Sequence, residues 1–205
     1  MTKHLDIGCG SKPRNPFRRD SLFGVDIRAL DVQAATVLAA NLVLDPIPFP
    51  TSHFDSVSAY DFLEHVPRIF PDAQTGTRFP FVELMNEIWR VLVPGGRFYA
   101  CTPVYPHPTA FQDPTHVNIL TRDSHIYFCR PKLLARMYGF AGDFAAVRVL
   151  PVKGGEFEYE PVAPPNFTRR YRLRRRERRQ ENTHIVWEFE AKKPVSDLNP
   201  GVDGN

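Results

Sequence analysis

The sequence predicts an α/β fold with a Rossmann-like sheet that is mostly parallel, and three observations carry this prediction. An apolar run breaks into two glycines in Leu5-Asp6-Ile7-Gly8-Cys9-Gly10. A second apolar run ends in an acid at Gly24-Val25-Asp26-Ile27. Further short apolar runs alternate with turn signals and helical patterns, as in a sheet whose parallel strands are joined by crossovers. The glycines permit a tight turn against a ligand, and the acid suits ribose hydroxyls.

Seven short apolar runs bounded by turn residues are predicted to be strands. They cover residues 4–8, 22–27, 36–43, 54–60, 97–102, 144–152 and 183–191. Apolar residues recur at helical spacing over 81–92, and Pro94-Gly95-Gly96 is expected to stop that helix. A second helix is predicted over 130–138, with Pro131 in its first turn and Gly139 as its stop.

Two connections of this sheet are expected to be unusual. Only eleven residues separate Gly10 from Leu22, which leaves little room for a first crossover helix. Because Pro13 and Pro16 lie among them, a single turn or a proline-pinned loop is predicted there instead. No confident helix pattern separates the last two strands, so the final strand is expected to run antiparallel.

The composition is that of a globular protein, with 205 residues of which 42% are hydrophobic. One α/β domain is expected over residues 1–194, and residues 195–205 read as a disordered tail. No apolar run approaches the roughly 20 residues of a membrane span, and no signal-peptide core opens the chain, so neither a membrane nor secretion is expected. Three widely spaced cysteines fit a reducing compartment, which predicts a cytoplasmic location.

The charge is concentrated in one segment, which is predicted to be an insertion between the last two strands. Residues 169–179 hold eight arginines and one acid, whereas the whole chain carries a net charge of only +3. Such a block is either a solvated segment or an anion-binding surface. Arg172 and Arg175 are the candidate substrate-binding residues within it. Tyr171 is its only aromatic residue, so stacking on nucleic-acid bases is weakly supported.

The glycine loop distinguishes between cofactors. A dinucleotide site needs a third glycine and a full helix, whose N-terminus holds the diphosphate. Here Pro13 stands at the third position and the helix is missing or short. S-adenosylmethionine (SAM) has no phosphate, so this loop suits it better than it suits a dinucleotide.

The order of further motifs resembles the class I SAM-dependent methyltransferases, and most closely the group called methyltransferase type 11. The resemblance covers about residues 3–102. Its motifs are Asp6-Ile7-Gly8-Cys9-Gly10, Gly24-Val25-Asp26-Ile27, Asn41-Leu42 with Ile47-Pro48-Phe49-Pro50, Phe54-Asp55-Ser56-Val57, Leu63-Glu64-His65, and Glu87-Ile88-Trp89-Arg90-Val91-Leu92-Val93-Pro94-Gly95-Gly96. Residues 111–117, Phe-Gln-Asp-Pro-Thr-His-Val, extend it to a compact bacterial and phage subgroup that tends to have a short first crossover.

The resemblance implies which residues hold the cofactor. Asp26 would take the ribose hydroxyls, and Ile27 would pack on the adenine. Asn41-Leu42 stands where relatives often have an acid-leucine pair that holds the adenine amino group. The residues implied to shape or line the methionine side are Asp6, Gly8, Cys9, Gly10, Tyr60 and Asp61, with His65 near the methyl group.

Substrate residues are expected after the fifth strand, at the edge where doubly wound sheets bind ligands. His116 is the first choice for a base, with Asp113 orienting it or contacting substrate, and His107 is a further catalytic candidate. Tyr105 is a candidate substrate contact. The alternative is that Asp113-Pro114-Thr115-His116 is only a turn. No metal site is expected, because His107, Asp113, His116 and Cys101 show no helical ligand spacing.

The resemblance therefore implies a SAM-dependent methyltransferase with a small-molecule or sugar-like acceptor, methylated at oxygen or nitrogen. An anionic acceptor would suit the arginine block. A nucleic-acid-directed methyltransferase is the alternative, although Ala59-Tyr60-Asp61-Phe62 replaces the N/D-P-P-Y/F tetrapeptide of enzymes that methylate base amino groups. A catalytically silent SAM-binding adaptor is the third reading.

Overall fold

The computed structural model describes residues 1–74, 76–154, 166–179 and 181–194. Seven strands form one sheet in the order β3-β2-β1-β4-β7-β9-β8. They are β1 (Lys3–Ile7), β2 (Ser21–Asp26), β3 (Thr36–Ala39), β4 (Phe54–Tyr60), β7 (Leu92–Pro103), β8 (Phe144–Val152) and β9 (His184–Ala191). The first five strands are mutually parallel, and β9 runs antiparallel between β7 and β8. The α/β fold, the mostly parallel sheet and the antiparallel last strand are confirmed.

The helix α1 (Pro80–Val91) covers one face of this sheet. Proline occupies its first position, where the missing N–H costs nothing. Its apolar residues recur three or four apart, and Phe81, Leu84, Met85 and Ile88 are all buried in the core with the strands. The predicted helix over 81–92 is confirmed to within one residue, but β7 begins directly at Leu92, earlier than the expected residue 97.

The first crossover has no helix. Residues 8–20 run as turns and irregular chain, and the Arg14 N–H donates to the buried Asp6 carboxylate over 2.8 Å. The Asn15 side chain closes the loop, accepting from the Arg19 N–H over 2.9 Å and donating to the Arg19 carbonyl over 2.8 Å. The expectation of a loop in place of the crossover helix is confirmed.

Other predicted elements need correction. The prediction of an α-helix over 130–138 is wrong. Only a 3₁₀ turn, Leu134–Tyr138, forms there, because Leu133 has a left-handed φ of +48° and an α-helix cannot run through that position. The strand expected over 36–43 ends at Ala39, because Asn41 starts a turn. The backbone carbonyl of Asn41 accepts hydrogen bonds from the N–H groups of Leu44 and Asp45. Short 3₁₀ turns also occur at Leu63–His65 and Ser124–Tyr127.

Two further features escaped the sequence patterns. A small hairpin pairs β5 (Phe70–Asp72) with β6 (Gly76–Arg78), and a four-residue helix, α2 (Thr109–Gln112), follows β7. The arginine block is helical as α3 (Phe167–Arg178), between β8 and β9. The expected tail, 195–205, lies outside the described residues. Within the described chain no helix is both long enough and apolar enough to cross a membrane.

Candidate cofactor and acceptor site

The site lies at the carboxyl edge of the parallel strands, where β1, β4 and β7 all end. Two cavities open there: a cofactor cavity of about 340 Å³ beside the ends of β1 and β2, and an acceptor cavity of about 500 Å³ beside the ends of β4 and β7. His65 lines both of them. The two cavities therefore meet at this imidazole.

The cofactor cavity collects six of the residues that the motifs implied. They are Gly8, Asp26, Ile27, Asn41, Leu42 and His65. Ile27 is 68% exposed although it is apolar, so it offers a shelf on which a flat ring can be buried. The Asn41 side-chain oxygen, Oδ1, accepts from the Val43 N–H over 3.1 Å, which leaves its side-chain N–H groups to face a ligand.

Gly8 is required by both conformation and space. Its φ is +65°, which L side chains rarely adopt, and a Cβ there would lie 2.4 Å from Cδ2 of Phe62. The Gly8 N–H donates to the Val25 carbonyl over 2.8 Å, which pins the loop to the end of β2. The first glycine of the motif thus lets the Phe62 ring pack directly against the backbone.

The Asp26 carboxylate organises the glycine loop. Its Oδ2 accepts from the Gly10 N–H over 2.9 Å, and its Oδ1 accepts from Arg28 Nε and Arg28 N over 3.0 and 3.1 Å. Burial alone would raise the pKa of Asp26, but the hydrogen bonds from Arg28 and Gly10 outweigh it and hold the pKa below its usual range. An ionised acceptor at this position fits a ribose diol, and the Arg28 side chain, 67% exposed, is free to move aside.

The other loop residues support the site from beneath. Asp6 is buried, and its Oδ1 accepts from the Ser58 hydroxyl over 2.6 Å. Burial raises the pKa of Asp6 to about 6, against the hydrogen bonds from Ser58 and Arg14 that lower it. Tyr60 is also buried, with the Arg14 guanidinium 4.5 Å from its ring centroid. Asp6, Cys9, Gly10 and Tyr60 line neither cavity in the structure.

Asp61 and His184 form one wall of the acceptor cavity. Asp61 directly follows β4 and has a φ of +46°, a strained conformation for a residue other than glycine. His184 opens β9, which pairs with the end of β7, and its Nε2 lies 3.1 Å from Asp61 Oδ1. Its Nδ1 lies 2.7 Å from the Thr183 hydroxyl. The antiparallel last strand thus places a histidine in the lining of this cavity.

Glu64, His65, Asp113 and His116 also line this cavity. Asp113 accepts from the N–H and the hydroxyl of Thr115, over 2.8 and 2.6 Å, which is the turn chemistry that the sequence left open. The pKa of Asp113 is lowered chiefly by these bonds. The Thr115 oxygen in turn lies 2.9 Å from His65 Nδ1, so the side-chain contacts of Asp113 lead to His65, whereas its backbone carbonyl accepts from the His116 N–H over 3.1 Å.

The remaining predicted residues lie apart from both cavities. His107 Nδ1 contacts the Thr109 hydroxyl at 2.9 Å, and Tyr105 is half-exposed with its ring edge-on to Phe111. Arg172 and Arg175 are exposed on α3 and line neither cavity. However, α3 connects Val152 to His184, which are paired at the carboxyl edge, so the helix is tethered on the acceptor side.

Three site residues were missed by sequence reasoning. The sequence patterns included Glu64 only as part of a motif, Thr115 only as part of a turn and His184 only as part of a strand, and they predicted no site role for any of the three. A signal existed for Glu64, since a charged residue between apolar Leu63 and Val66 is unusual unless it has a role. His184 carried none, because its place depends on how β9 pairs with β7.

Residues 5–100 match the family model described as a methyltransferase domain. This match covers just under half of the 205 residues, so residues 5–100 are similar to methyltransferase domains, and SAM is the expected cofactor. The exposed shelf at Ile27, the ionised Asp26 and the glycine turn at Gly8 fit that cofactor. None of the curated proteins with which the chain was compared matches it.

Solved structures share the fold at low identity. A chain of the complex between the Haloferax volcanii Trm112 methyltransferase activator and a methyltransferase is 16% identical, with a TM-score of 0.57 over 94% of this chain and 83% of that one. A SAM-dependent methyltransferase from Archaeoglobus fulgidus is 14% identical, with a TM-score of 0.52 over 92% and 86%. The geranyl diphosphate C-methyltransferase of Streptomyces coelicolor A3(2), solved with Mg²⁺, geranyl diphosphate and S-adenosyl-L-homocysteine, is 13% identical, with a TM-score of 0.53 over 93% and 72%.

Proposed function

We propose that this protein transfers a methyl group from SAM to a hydroxyl or amine of a small-molecule or sugar-like acceptor. The observation that carries the proposal is the meeting of the two cavities at His65. One cavity has the apolar shelf and carboxylate that suit an adenosine, and the other has polar walls that suit an acceptor. When bound, SAM supplies an electrophilic methyl group on its sulfonium.

The chain's part in the reaction is alignment. Displacement at a methyl carbon requires nucleophile, carbon and sulfur to lie in line at near-attack distance. In this proposal Asp26 holds the ribose, Ile27 packs on the adenine, and His65 stands where the methyl group meets the acceptor. Asp6, Cys9 and Gly10 maintain the conformation of the loop that faces the methionine end of SAM. Tyr60 packs behind this loop.

His116 is proposed to contact the acceptor's reacting group. Its side chain is only 9% exposed, and its ring lies edge-on to that of His65 with centroids 4.9 Å apart. A neutral imidazole in this position can take the proton that the nucleophile loses. Asp113 then acts through Thr115 as a positioning residue for His65, and His107, bonded to Thr109, supports the rim of the cavity.

The exposed arginines of α3 favour a second candidate function. A nucleic-acid-directed methyltransferase would use Arg172 and Arg175 to hold phosphates beside the acceptor cavity. The same side chains would equally bind a small anionic acceptor, with Tyr105 as a further contact outside the cavity. The tether of α3 at the acceptor edge supports either use.

We further infer that the protein works in a reducing compartment, the cytoplasm. Cys9, Cys101 and Cys129 are all buried, and none of them is in a disulfide. Burial raises the pKa of the Cys129 thiol to about 12, so this thiol stays protonated and unreactive.

The decisive experiment is incubation with methyl-labelled SAM and fractionated cell extract, followed by identification of the fraction that takes the label. The proposal expects a fraction of small polar molecules to be labelled by the wild type and not by Asp26→Ala. Label in RNA or DNA would establish the second candidate function. SAM binding without label in any fraction would make the protein an adaptor and would contradict the proposed transfer.

A further inference from the structure

Glu64, His65 and His116 converge at one wall of the acceptor cavity. One ligand atom from each lies within 4.8 Å of the others, and His116 Nε2 lies 3.9 Å from Glu64 Oε1. The 3₁₀ turn at Leu63–His65 supplies the first two residues, and the Glu64 carbonyl accepts from Val117 and Asn118, which holds the segment bearing His116 against them.

The Glu64 carboxylate is half satisfied. The residue is 1% exposed, and its Oε2 accepts from the Thr102 hydroxyl over 2.8 Å. Within the described residues, Oε1 is buried and has no hydrogen-bond partner. A buried carboxylate oxygen without a partner is strongly destabilising, so this atom requires a cationic or protic partner.

The tautomer of His116 is set by a carbonyl. Its Nδ1 lies 3.3 Å from the Ala110 carbonyl oxygen, which can only accept a hydrogen bond. In the neutral ring Nδ1 therefore carries the hydrogen, and Nε2 presents its lone pair to Glu64 Oε1. Two acceptor atoms thus face each other across 3.9 Å.

His65 is held in the same tautomer by a longer chain. The Thr115 hydroxyl has one hydrogen, and the Asp113 carboxylate, which can only accept, takes it over 2.6 Å. The Thr115 oxygen must then accept from His65 Nδ1 over 2.9 Å. His65 Nε2 is left with its lone pair, and His65 places a ring nitrogen within 4.8 Å of the ligand atoms of Glu64 and His116.

We propose that Glu64 Oε1, His65 Nε2 and His116 Nε2 bind one divalent transition-metal ion. Metal–nitrogen and metal–oxygen bonds of about 2.0–2.2 Å allow two ligands of one ion to lie up to about 4.2 Å apart. The 3.9 Å between His116 Nε2 and Glu64 Oε1 lies within this limit, and the ligand atoms of the whole cluster, which lie within 4.8 Å of one another, reach it with a small side-chain adjustment. A single proton shared between these two atoms cannot span 3.9 Å, because the atoms joined by a hydrogen bond lie closer together. Two imidazoles and one carboxylate favour ions from Mn²⁺ to Zn²⁺ over Mg²⁺ or Ca²⁺.

The surroundings are those of a metal ligand set. Each imidazole donates its other N–H to a fixed acceptor, the Ala110 carbonyl or the Thr115–Asp113 chain, which orients the ring and makes it a better ligand. Three protein ligands leave open positions, and these face the acceptor cavity. The site differs from the ligand set weighed from the sequence, which contained His107 and Cys101 and lacked Glu64.

The use of the metal rests on the proposed function. An acceptor hydroxyl oxygen on an open position loses its proton to bulk water, because the metal lowers its pKa. The oxygen lone pair then forms the bond to the methyl carbon while the carbon–sulfur bond breaks, and its electron pair stays on sulfur as a neutral thioether. With the metal bound, His116 is a ligand and no base is needed.

The test is a titration of the untagged, EDTA-treated protein with Mn²⁺, followed by electron paramagnetic resonance, and with Co²⁺, followed by visible absorption. We expect one equivalent to bind to the wild type. Glu64→Gln and His116→Ala should weaken binding at least about tenfold, and Thr115→Val, an exposed change that frees His65 Nδ1, should also weaken it by about tenfold. His125→Ala is the matched control, since that imidazole contacts the Arg122 carbonyl and lies outside the cluster.

The proposal is overturned if the wild type binds no stoichiometric metal, which would leave the cluster with a proton or water only. It is equally overturned if Thr115→Val and His116→Ala bind the ions as tightly as His125→Ala does. Calorimetric titration of the same samples with SAM keeps the two claims apart. Metal binding without SAM binding would contradict the proposed function and support the metal site. SAM binding without metal binding would contradict the metal site and leave the proposed function standing.

Discussion

Arg28 covers the carboxylate of Asp26, with its Nε 3.0 Å from Oδ1. This carboxylate is the group proposed to take the ribose hydroxyls of SAM. The guanidinium side chain is largely exposed, whereas the Asp26 side chain is 9% exposed, so the arginine acts as a cover over an otherwise formed site. Cofactor binding then requires the side chain of Arg28 to give way.

Removing this cover should not harm cofactor binding. Arg28→Ala is expected to bind SAM as tightly as the wild type or up to about tenfold more tightly, since one charge-assisted hydrogen bond no longer has to be broken. Lys132→Ala, which removes a positive charge elsewhere on the surface, is the control for net charge. Loss of SAM binding in Arg28→Ala by calorimetry would show that Arg28 is itself a cofactor ligand.

The close contact of Gly8 with Phe62 should make Gly8 intolerant of a side chain. Gly8→Ala combines a left-handed φ with a Cβ 2.4 Å from the ring, so it should lose stability and SAM affinity together. Gly139→Ala is a matched control, because its φ is also positive, at +88°, but no atom lies within 4 Å of its Cβ. It should lose only about 1–2 kcal/mol of unfolding free energy. Equal losses in urea titrations of both variants would contradict the contact.

His4 should make the stability fall in acid. It lies buried between the Ser56 and Ser58 hydroxyls, and burial, with a smaller contribution from Arg19, lowers the pKa of His4 to about 3. The unfolded chain binds a proton below about pH 6.5, and the folded chain binds it only near pH 3, so this stability is present above pH 6.5 and is lost as the pH falls between these values.

The measurement is urea denaturation of the wild type and of His4→Asn at pH 7.5 and pH 5. The advantage of the wild type should shrink at pH 5, by an amount of order 1 kcal/mol. Using the difference between the two proteins removes the opposite contribution of Asp6, whose raised pKa of about 6 makes stability fall as the pH rises. A difference that is the same at both pH values would show that His4 is not held neutral.

The arginines of α3 should distinguish between the two candidate functions. For a small acceptor, Arg172→Ala with Arg175→Ala should leave SAM affinity unchanged and raise the KM for an anionic acceptor. For a nucleic-acid substrate, the wild type should bind a labelled oligonucleotide with an affinity that falls steeply with salt, and the double variant should lose that slope. Fluorescence anisotropy at two salt concentrations separates these outcomes.

The parts of the fold that could be read from the sequence are those set by local pattern. The strand over 54–60, the helix α1 and the loop after Gly10 follow from apolar spacing, a proline start and two prolines in a short connection. The helix expected over 130–138 failed because the left-handed turn at Leu133 is imposed by the surrounding chain, and leucine gives no sign of it.

The site could be predicted where a residue works within the sequence motif that contains it. It could not be predicted where two segments that are distant in the sequence meet. Asp26 and Gly8 were predicted from the motifs that contain them, and both line the cofactor cavity. The pairing of Glu64 with His116 depends on backbone hydrogen bonds from Val117 and Asn118 to Glu64, and no spacing along the chain encodes that contact. The sequence named His116 but gave no sign that Glu64 lies beside it.

The most direct test of the account is calorimetric titration of the wild type and of Asp26→Ala with SAM. We expect saturable one-to-one binding by the wild type and a loss of about tenfold or more in the variant, since an ionised hydrogen-bond acceptor is removed. Thermal melting of both proteins checks that the variant is folded. Absence of saturable SAM binding by the wild type, or equal affinity in Asp26→Ala, would contradict the central claim.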